Sequence, residues 1–168
     1  LGRRVRKAFI AEGDWTLLAA DYSQIELRVL AHFSKDPGLI DAFHRGEDIH
    51  NSTSAMVYGV PLEDVTAEMR RFAKILNFGV LYGLTAFGIS RQTDLSPEQG
   101  RDFINLYFEK YPKISDYVEE TKAACREQGY VETVLGRRRY LPDINSRNIH
   151  VRQAAERAAI NTPIQGTA

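Results

Sequence analysis

The stretch RRFAKILNFGVLYG, residues 70–83, decides how the chain folds and what it handles. Arg70, Lys74, Phe78 and Tyr82 fall at successive steps of four, so they drift slowly around one face of a helix. That face carries two cations and then two aromatic rings. Over roughly 18 Å of helix, at about 1.5 Å per residue, this order suits a long ligand with an anionic tail and a flat, stackable head, the shape of a nucleoside triphosphate. Arg and Lys give charge-assisted hydrogen bonds to phosphate oxygens, and Phe and Tyr give stacking surfaces for a base or sugar. Phe72, Ile75 and Leu76 lie on the other side and anchor the helix to a core. An amphipathic helix with a basic rim is the plain alternative. Rings sharing the cationic face count against it, because a solvated face favours polar groups.

Upstream, TLLAADY (residues 16–22) holds an apolar run from Leu17 to Ala20 that ends on Asp21 and predicts a buried strand. SQIELRVLAHF follows, with Ser23 as N-cap and Glu26 three residues later, the spacing of a capping box, so a helix starts there. Further helical segments are expected around Pro37–Arg45, Ile49–Tyr58, Thr66–Tyr82, Ser96–Tyr111 and Ile114–Gln128, punctuated by Pro61, Gly83, Pro97, Pro112 and Gly129. YVETV and RRRYLP, either side of Leu135 and Gly136, predict a hairpin. A last helix runs from about Asn148 to the end, with a kink expected at Pro163. The fold class is α+β, rich in helix.

The 168 residues are 43% hydrophobic, enough for one compact domain. Lys plus Arg and Asp plus Glu both number 22, so net charge gives no global signal for a polyanion. Basic charge is local, at Arg3, Arg4, Arg6 and Lys7, at Arg70, Arg71 and Lys74, and at Arg137 to Arg139. Solvated charge is the plain reading of each patch. Cys125 stands alone, which excludes an internal disulfide and a cysteine zinc cluster and fits a reducing, cytoplasmic setting. The uncharged stretch that contains Phe78 to Ile89 falls short of the ~20 residues that span a bilayer. The chain opens at Leu1 on a basic run and stops at Ala168 inside a helical pattern, so both ends read as cut.

Asp21 taken alone is as well read as a turn former. Chemistry on a triphosphate changes its weight, since such reactions use Mg²⁺ held by carboxylates, commonly as a two-metal clamp. One acid is not enough for that clamp.

With these residues in view a resemblance is plain. DYSQIELRVLAH (residues 21–32) resembles motif A of the bacterial family A DNA polymerases, and RRFAKILNFGVLYG resembles their motif B on the fingers helix. GEDIH (46–50), GYVETVLGRRRYLPDI (129–144) and AAERAAINTPIQGTA (154–168) are similar to the same family in the same order, so the resemblance covers essentially the whole chain. It implies part of a right-hand polymerase fold, fingers plus part of the palm. Residues 1–34 would be palm, 35–136 fingers and 137–168 a return to the palm that ends before motif C.

The resemblance further implies Mg²⁺ at a two-metal site, with Asp21 as a ligand and the backbone carbonyl of Tyr22 as a second donor. His50, Arg70 and Lys74 would contact the triphosphate, Arg70 and Lys74 serving catalysis. Phe78 would pack on the incoming sugar and base, and Tyr82 would sit beside the templating position against DNA. Glu26 is open between helix cap and a steric gate against the ribose 2′-hydroxyl. Arg157, Asn161 and Gln165 step by four; the resemblance has them track the duplex, whereas spacing alone gives a polar helix face. His32, His44 and His150 form no metal-ligand pattern. Phe72 and Leu76 depart from the family's usual shapes, but on the inward side.

The expected activity is template-directed DNA synthesis, transfer of a nucleotide from a deoxynucleoside triphosphate to a primer 3′-hydroxyl. The expected partners are primer–template DNA and these triphosphates, with no membrane and no oligomer. The family's His-Asp-Glu triplet, whose aspartate is the second metal ligand, does not occur in these residues, so the 168 residues alone are expected to be catalytically incomplete. A single-subunit RNA polymerase and a non-catalytic nucleotide- or DNA-binding module are the rival readings. DYSQIE with its gate glutamate favours DNA over RNA.

Overall fold

Short polar side chains start the helices. Asp36, Asp48, Thr85, Ser96 and Asn148 each precede a helix and accept amides of its first turn, satisfying donors that have no partner within the helix. The computed structural model describes residues 5, 7–83, 85–91, 93 and 95–168, the side chains at 80 and 81 excepted; Arg3, Arg4 and Arg6 of the first basic patch lie outside the described residues.

Helices α1 (Ile25–Ser34), α2 (Pro37–His44) and α3 (Ile49–Tyr58) lead to α4 (Ala67–Leu81), the helix that carries RRFAKILNFGVL. A short α5 (Ala86–Ser90) precedes two longer helices, α6 (Pro97–Lys110) and α7 (Pro112–Gln128). Strands β1 (Tyr130–Glu132) and β2 (Arg138–Tyr140) form the expected antiparallel hairpin, with Val131 opposite Arg139. Helix α8 (Ile149–Gln165) closes the chain. Gly129 ends α7 at φ +78, a left-handed cap that glycine adopts without strain.

Two clusters hold these elements together. The larger joins Leu27 and Leu30 of α1, Leu39 of α2, Ile49 of α3, Leu76 of α4, Phe103 and Tyr107 of α6, Ile114 of α7 and Ile160 and Ile164 of α8. The smaller packs Cys125, Val131, Leu141, Ile144, Ala155 and Ala159 under the hairpin. Asp36, fully buried, uses both carboxylate oxygens to link elements: Oδ1 accepts the Leu39 amide at 3.0 Å and Oδ2 the Lys113 amide at 3.1 Å, so one side chain caps α2 and the start of α7.

Three expectations need correction. The segment Leu17–Ala20 is not a buried strand: it is irregular and exposed, Leu18 being 93% accessible. A strand needs a neighbour for its amides and carbonyls, and among the described residues only β1 and β2 pair. Ser23 does not cap α1. The residue before the helix is Gln24, left-handed at φ 53 with no capping side-chain bond, and Glu26 points elsewhere. Helix α5 falls where no helix is expected. It is short and starts on Thr85, after a glycine that reads as a terminator. Helix α8 continues through Pro163 to Gln165, so the proline lies inside the helix and has no amide hydrogen to give to the carbonyl four residues before it.

Candidate active site

A cleft of about 350 Å³ opens between the start of α1, the first turn of α3 and the outer face of α4. Asp21 and Tyr22 come from the exposed segment before α1, Glu26 from α1, His50 from α3, and Arg70, Lys74 and Phe78 from α4. Ala73 and Leu76 of α4 are fully buried, so the helix seats its apolar stripe and leaves the cationic and aromatic stripe lining the cleft. Phe78 is stacked on Tyr82 with centroids 5.9 Å apart, His50 lies 5.8 Å from the Phe78 ring, and Lys74 Nζ is 5.8 Å from it. Arg70, Lys74 and Phe78 line the cleft together, whereas Tyr82, one residue past the end of α4, stacks behind Phe78 and does not line it.

The supporting contacts were not legible as site residues. Asp48 caps α3 through Oδ1 and holds Arg70 through Oδ2, accepting Nη2 at 2.7 Å and Nε at 3.0 Å. Burial pushes its carboxyl up, but the Arg70 guanidinium and the amides of Asn51 and His50 outweigh burial and hold it below the ordinary value. Gln24 Oε1 accepts the Ile49 amide at 3.1 Å, which fixes the segment after Asp21 beside the start of α3. Asn77, fully buried on α4, meets His50 Nδ1 at 2.9 Å and Thr53 Oγ1 at 3.0 Å. Asp48 had one available signal, a capping residue two positions before His50. Asn77 had none beyond being polar on an apolar face.

Burial pushes the His50 imidazole down to about 4, with Arg70 and Lys74 adding to the effect against Asp48. At neutral pH it is uncharged and has one N–H to give. Burial likewise raises the Tyr82 phenol to about 12, helped by the hydrogen bond that its hydroxyl donates to Glu26 Oε2 and opposed by Gln165. A phenol so placed stays protonated and ties α1 to the end of α4.

The α8 residues do not line the cleft. Arg157 lays its stem against Gly83, whose added Cβ would sit 3.3 Å from Cγ. Gln165 faces the Tyr82 hydroxyl, and Asn161 Oδ1 is buried without a hydrogen-bond partner. The arginines at 137–139 make contacts within the fold: Arg137 donates to the Gly166 carbonyl at 2.6 Å, Arg139 to Thr162 Oγ1 at 3.0 Å, and Arg138 pairs with Glu132. Among the described residues no group of three or more His, Cys, Asp or Glu is arranged to hold a metal ion by itself.

The family model for DNA polymerase family A matches residues 1–168. The chain belongs to DNA polymerase family A. It is 54% identical to DNA polymerase I of Pseudomonas aeruginosa over 99% of its own length and 18% of that protein's. It is 53% identical to the thermostable DNA polymerase I of Thermus thermophilus, over 100% of its own length and 20% of that one. Among solved structures it is similar to the POL domain of Pol1 from M. smegmatis in complex with DNA primer-template and dNTP. That likeness has a TM-score of 0.83 at 47% identity, covering 88% of this chain and 26% of the other. This family A chain therefore spans about a fifth of the length of the curated relatives it matches.

Proposed function

We propose that the chain is the palm-and-fingers portion of a polymerase that performs template-directed DNA synthesis, joining a deoxynucleoside triphosphate to a primer 3′-hydroxyl with release of pyrophosphate. Residues 1–34 and 137–168 would belong to the palm and 35–136 to the fingers. The single observation that carries the reading is the cleft that Asp21 and Glu26 line together with Arg70, Lys74 and Phe78 of one helix. Family membership and a solved neighbour described with primer-template and dNTP support it.

In this reading Lys74 and Arg70 neutralise the triphosphate by charge-assisted hydrogen bonds, His50 adds a neutral N–H donor, and Phe78 stacks on the base and sugar. Tyr82, fastened to Glu26, closes the aromatic end next to the template, and Glu26 fills the space a ribose 2′-hydroxyl needs. Arg157 and Gln165, beside Gly83 and Tyr82, would meet the duplex, with Asn161 between them on the helix.

The donor set fits Mg²⁺ in part: an exposed Asp21 carboxylate with the adjoining Tyr22 carbonyl is hard-oxygen chemistry, and Mg²⁺ is usually held by one or two carboxylates together with substrate phosphates. When bound it would supply charge neutralisation at the reacting oxygens. No helix among the described residues is long and apolar enough to cross a membrane, and the buried free Cys125 agrees with a cytoplasmic enzyme.

Single-nucleotide incorporation by the intact polymerase tests the proposal. Asp21→Ala should abolish extension, and Lys74→Ala or Arg70→Ala should raise KM for the triphosphate by about 10-fold or more, as loss of a charged hydrogen bond does. Wild-type extension by Asp21→Ala would refute the reading.

A further inference from the structure

The buried polar chain that runs from α3 to α4 behind the cleft has no place in the reading above. Thr53 and Asn77 are fully buried and His50 is 2% exposed, an uncommon concentration of buried polar groups. Each is satisfied by its neighbour: the Thr53 hydroxyl donates to Asn77 Oδ1 at 3.0 Å, and Asn77 Nδ2 stands 2.9 Å from His50 Nδ1. The direction of the chain decides the chemistry at its end. Because the hydroxyl donates to the amide oxygen, the amide nitrogen is what faces the imidazole, and that nitrogen has only hydrogens to offer. Nδ1 must then be the acceptor, so the single proton of the neutral ring resides on Nε2. With Nδ1 occupied from behind, Nε2–H is the polar group the ring has left for the cleft that it lines with Arg70 and Lys74.

We propose that Asn77, oriented by Thr53, is a positioning residue for nucleotide binding: it fixes His50 as the Nε2–H tautomer and so aims one neutral donor at the triphosphate. The inference rests on the reading of the cleft as a triphosphate site. It explains why a buried amide interrupts the apolar stripe of α4. The low proton affinity of His50 agrees with it, since a ring that stayed charged would donate from both nitrogens and leave the Asn77 N–H opposed by another N–H. Neither Asn77 nor Thr53 lines the cleft, so both act through His50.

The test uses the intact polymerase on primer–template and compares His50→Ala, Asn77→Asp and the double variant, with Lys74→Ala as the reference for triphosphate binding. Asn77→Asp keeps the side-chain shape but puts an acceptor opposite Nδ1, which draws a proton there; assayed at a pH above the titration of the variant's ring, Nε2 is then left without a hydrogen. The expected result is a rise in KM for the triphosphate of about 10-fold in Asn77→Asp with little change in kcat, and no further rise when His50→Ala is added. Thr53→Val, which frees the amide to turn over, should raise KM less, and Thr53→Ser should restore it; this pair carries the test if Asn77→Asp folds poorly. Nitrogen-15 NMR of histidine-labelled enzyme, with the His50 signals assigned by their loss in His50→Ala, should show Nδ1 bare in wild type and protonated in Asn77→Asp.

Wild-type KM in Asn77→Asp and Thr53→Val, where His50→Ala raises it, would overturn the positioning role while leaving the triphosphate reading intact. A proton found on Nδ1 in wild type would overturn it directly. Unchanged KM in His50→Ala would remove His50 from the triphosphate contacts and the proposal with it. Unchanged KM in Lys74→Ala would instead count against the reading of the cleft.

Discussion

Asp48 divides its two carboxylate oxygens between two helices: Oδ1 accepts the amides of His50 and Asn51 at 2.9 and 3.3 Å, and Oδ2 accepts Arg70 Nη2 and Nε at 2.7 and 3.0 Å. One side chain therefore starts α3 and holds a cation of α4. The two contacts have different strengths. The ion pair is half-exposed, with side chains 42% and 29% accessible, so it is worth about 0.2–1 kcal/mol, whereas losing an N-cap costs about 1 kcal/mol.

Asp48→Asn should keep most of the cap and lose the charge, and Asp48→Ala should lose both. Hydrogen exchange in the intact enzyme, read at the amides of residues 50 and 51, should quicken markedly in Asp48→Ala and only slightly in Asp48→Asn. Equal exchange in the two variants would mean that the ion pair, not the cap, holds the start of α3.

The His50 imidazole is pushed down to about 4 by burial, from an ordinary value of 6.5. Between those pH values the unfolded chain holds a proton at this position and the folded chain does not, so acid favours unfolding there. The stability associated with neutral His50 is complete above about pH 6.5, falls as pH drops toward 4, and is then lost by about 3 kcal/mol. Melting temperature followed against pH should decline less steeply from 6.5 to 4 in His50→Gln than in wild type. Parallel curves would place the titration elsewhere.

Glu26 accepts the Tyr82 hydroxyl rather than capping α1, and the gate against the ribose 2′-hydroxyl is the part of the proposal that needs its own test. Glu26→Ala in the intact polymerase should raise the ribo- to deoxynucleotide ratio of kcat/KM, each 1.4 kcal/mol of lost discrimination being about tenfold. Tyr82→Phe, which releases the carboxylate but leaves it present, should raise the ratio less. If neither variant moves the ratio, Glu26 has a structural role only.

In the proposed reading Phe78 packs on the incoming sugar and base with a ring that carries no hydroxyl. Phe78→Tyr adds one hydroxyl there, and the expected outcome is readier use of dideoxynucleotides with ordinary incorporation nearly unchanged. Chain-termination assays on both versions decide it. Equal termination would argue against this placement of the ring.

How much of this was legible follows from which interactions are local. The stripe Arg70, Lys74, Phe78, Tyr82 was readable because helical spacing alone puts four groups in a row, and the hairpin because Gly136, at φ +77, lies between two runs of strand-forming residues. The run Leu17–Ala20 reads as a strand on composition, yet composition cannot supply the partner a strand requires. Glu26 sits at capping-box spacing, but a residue 56 positions away outbid that local bond. Asp48 and Asn77 escaped for the same reason: the partners that give them their place in the site lie 22 and 27 residues distant, and the capping position of Asp48 announces a helix start but not its hold on Arg70.

The bonds between α3 and α4 also govern how the cleft can move. Asp48 with Arg70 pins one end of the pair, and His50 and Thr53 with Asn77 pin it about two turns further along. Sliding one helix on the other would break an ion pair and strand three buried polar groups at once, so the pair is a stiff lever. Any opening or closing of the cleft must be taken up at its joints, and two of these carry glycines in the left-handed region: Gly46 before α3 at φ +71 and Gly83 after α4 at φ +67. The groups proposed to meet the triphosphate thus keep their mutual spacing, and moving them away from Asp21 would also have to break the Gln24–Ile49 and Glu26–Tyr82 bonds.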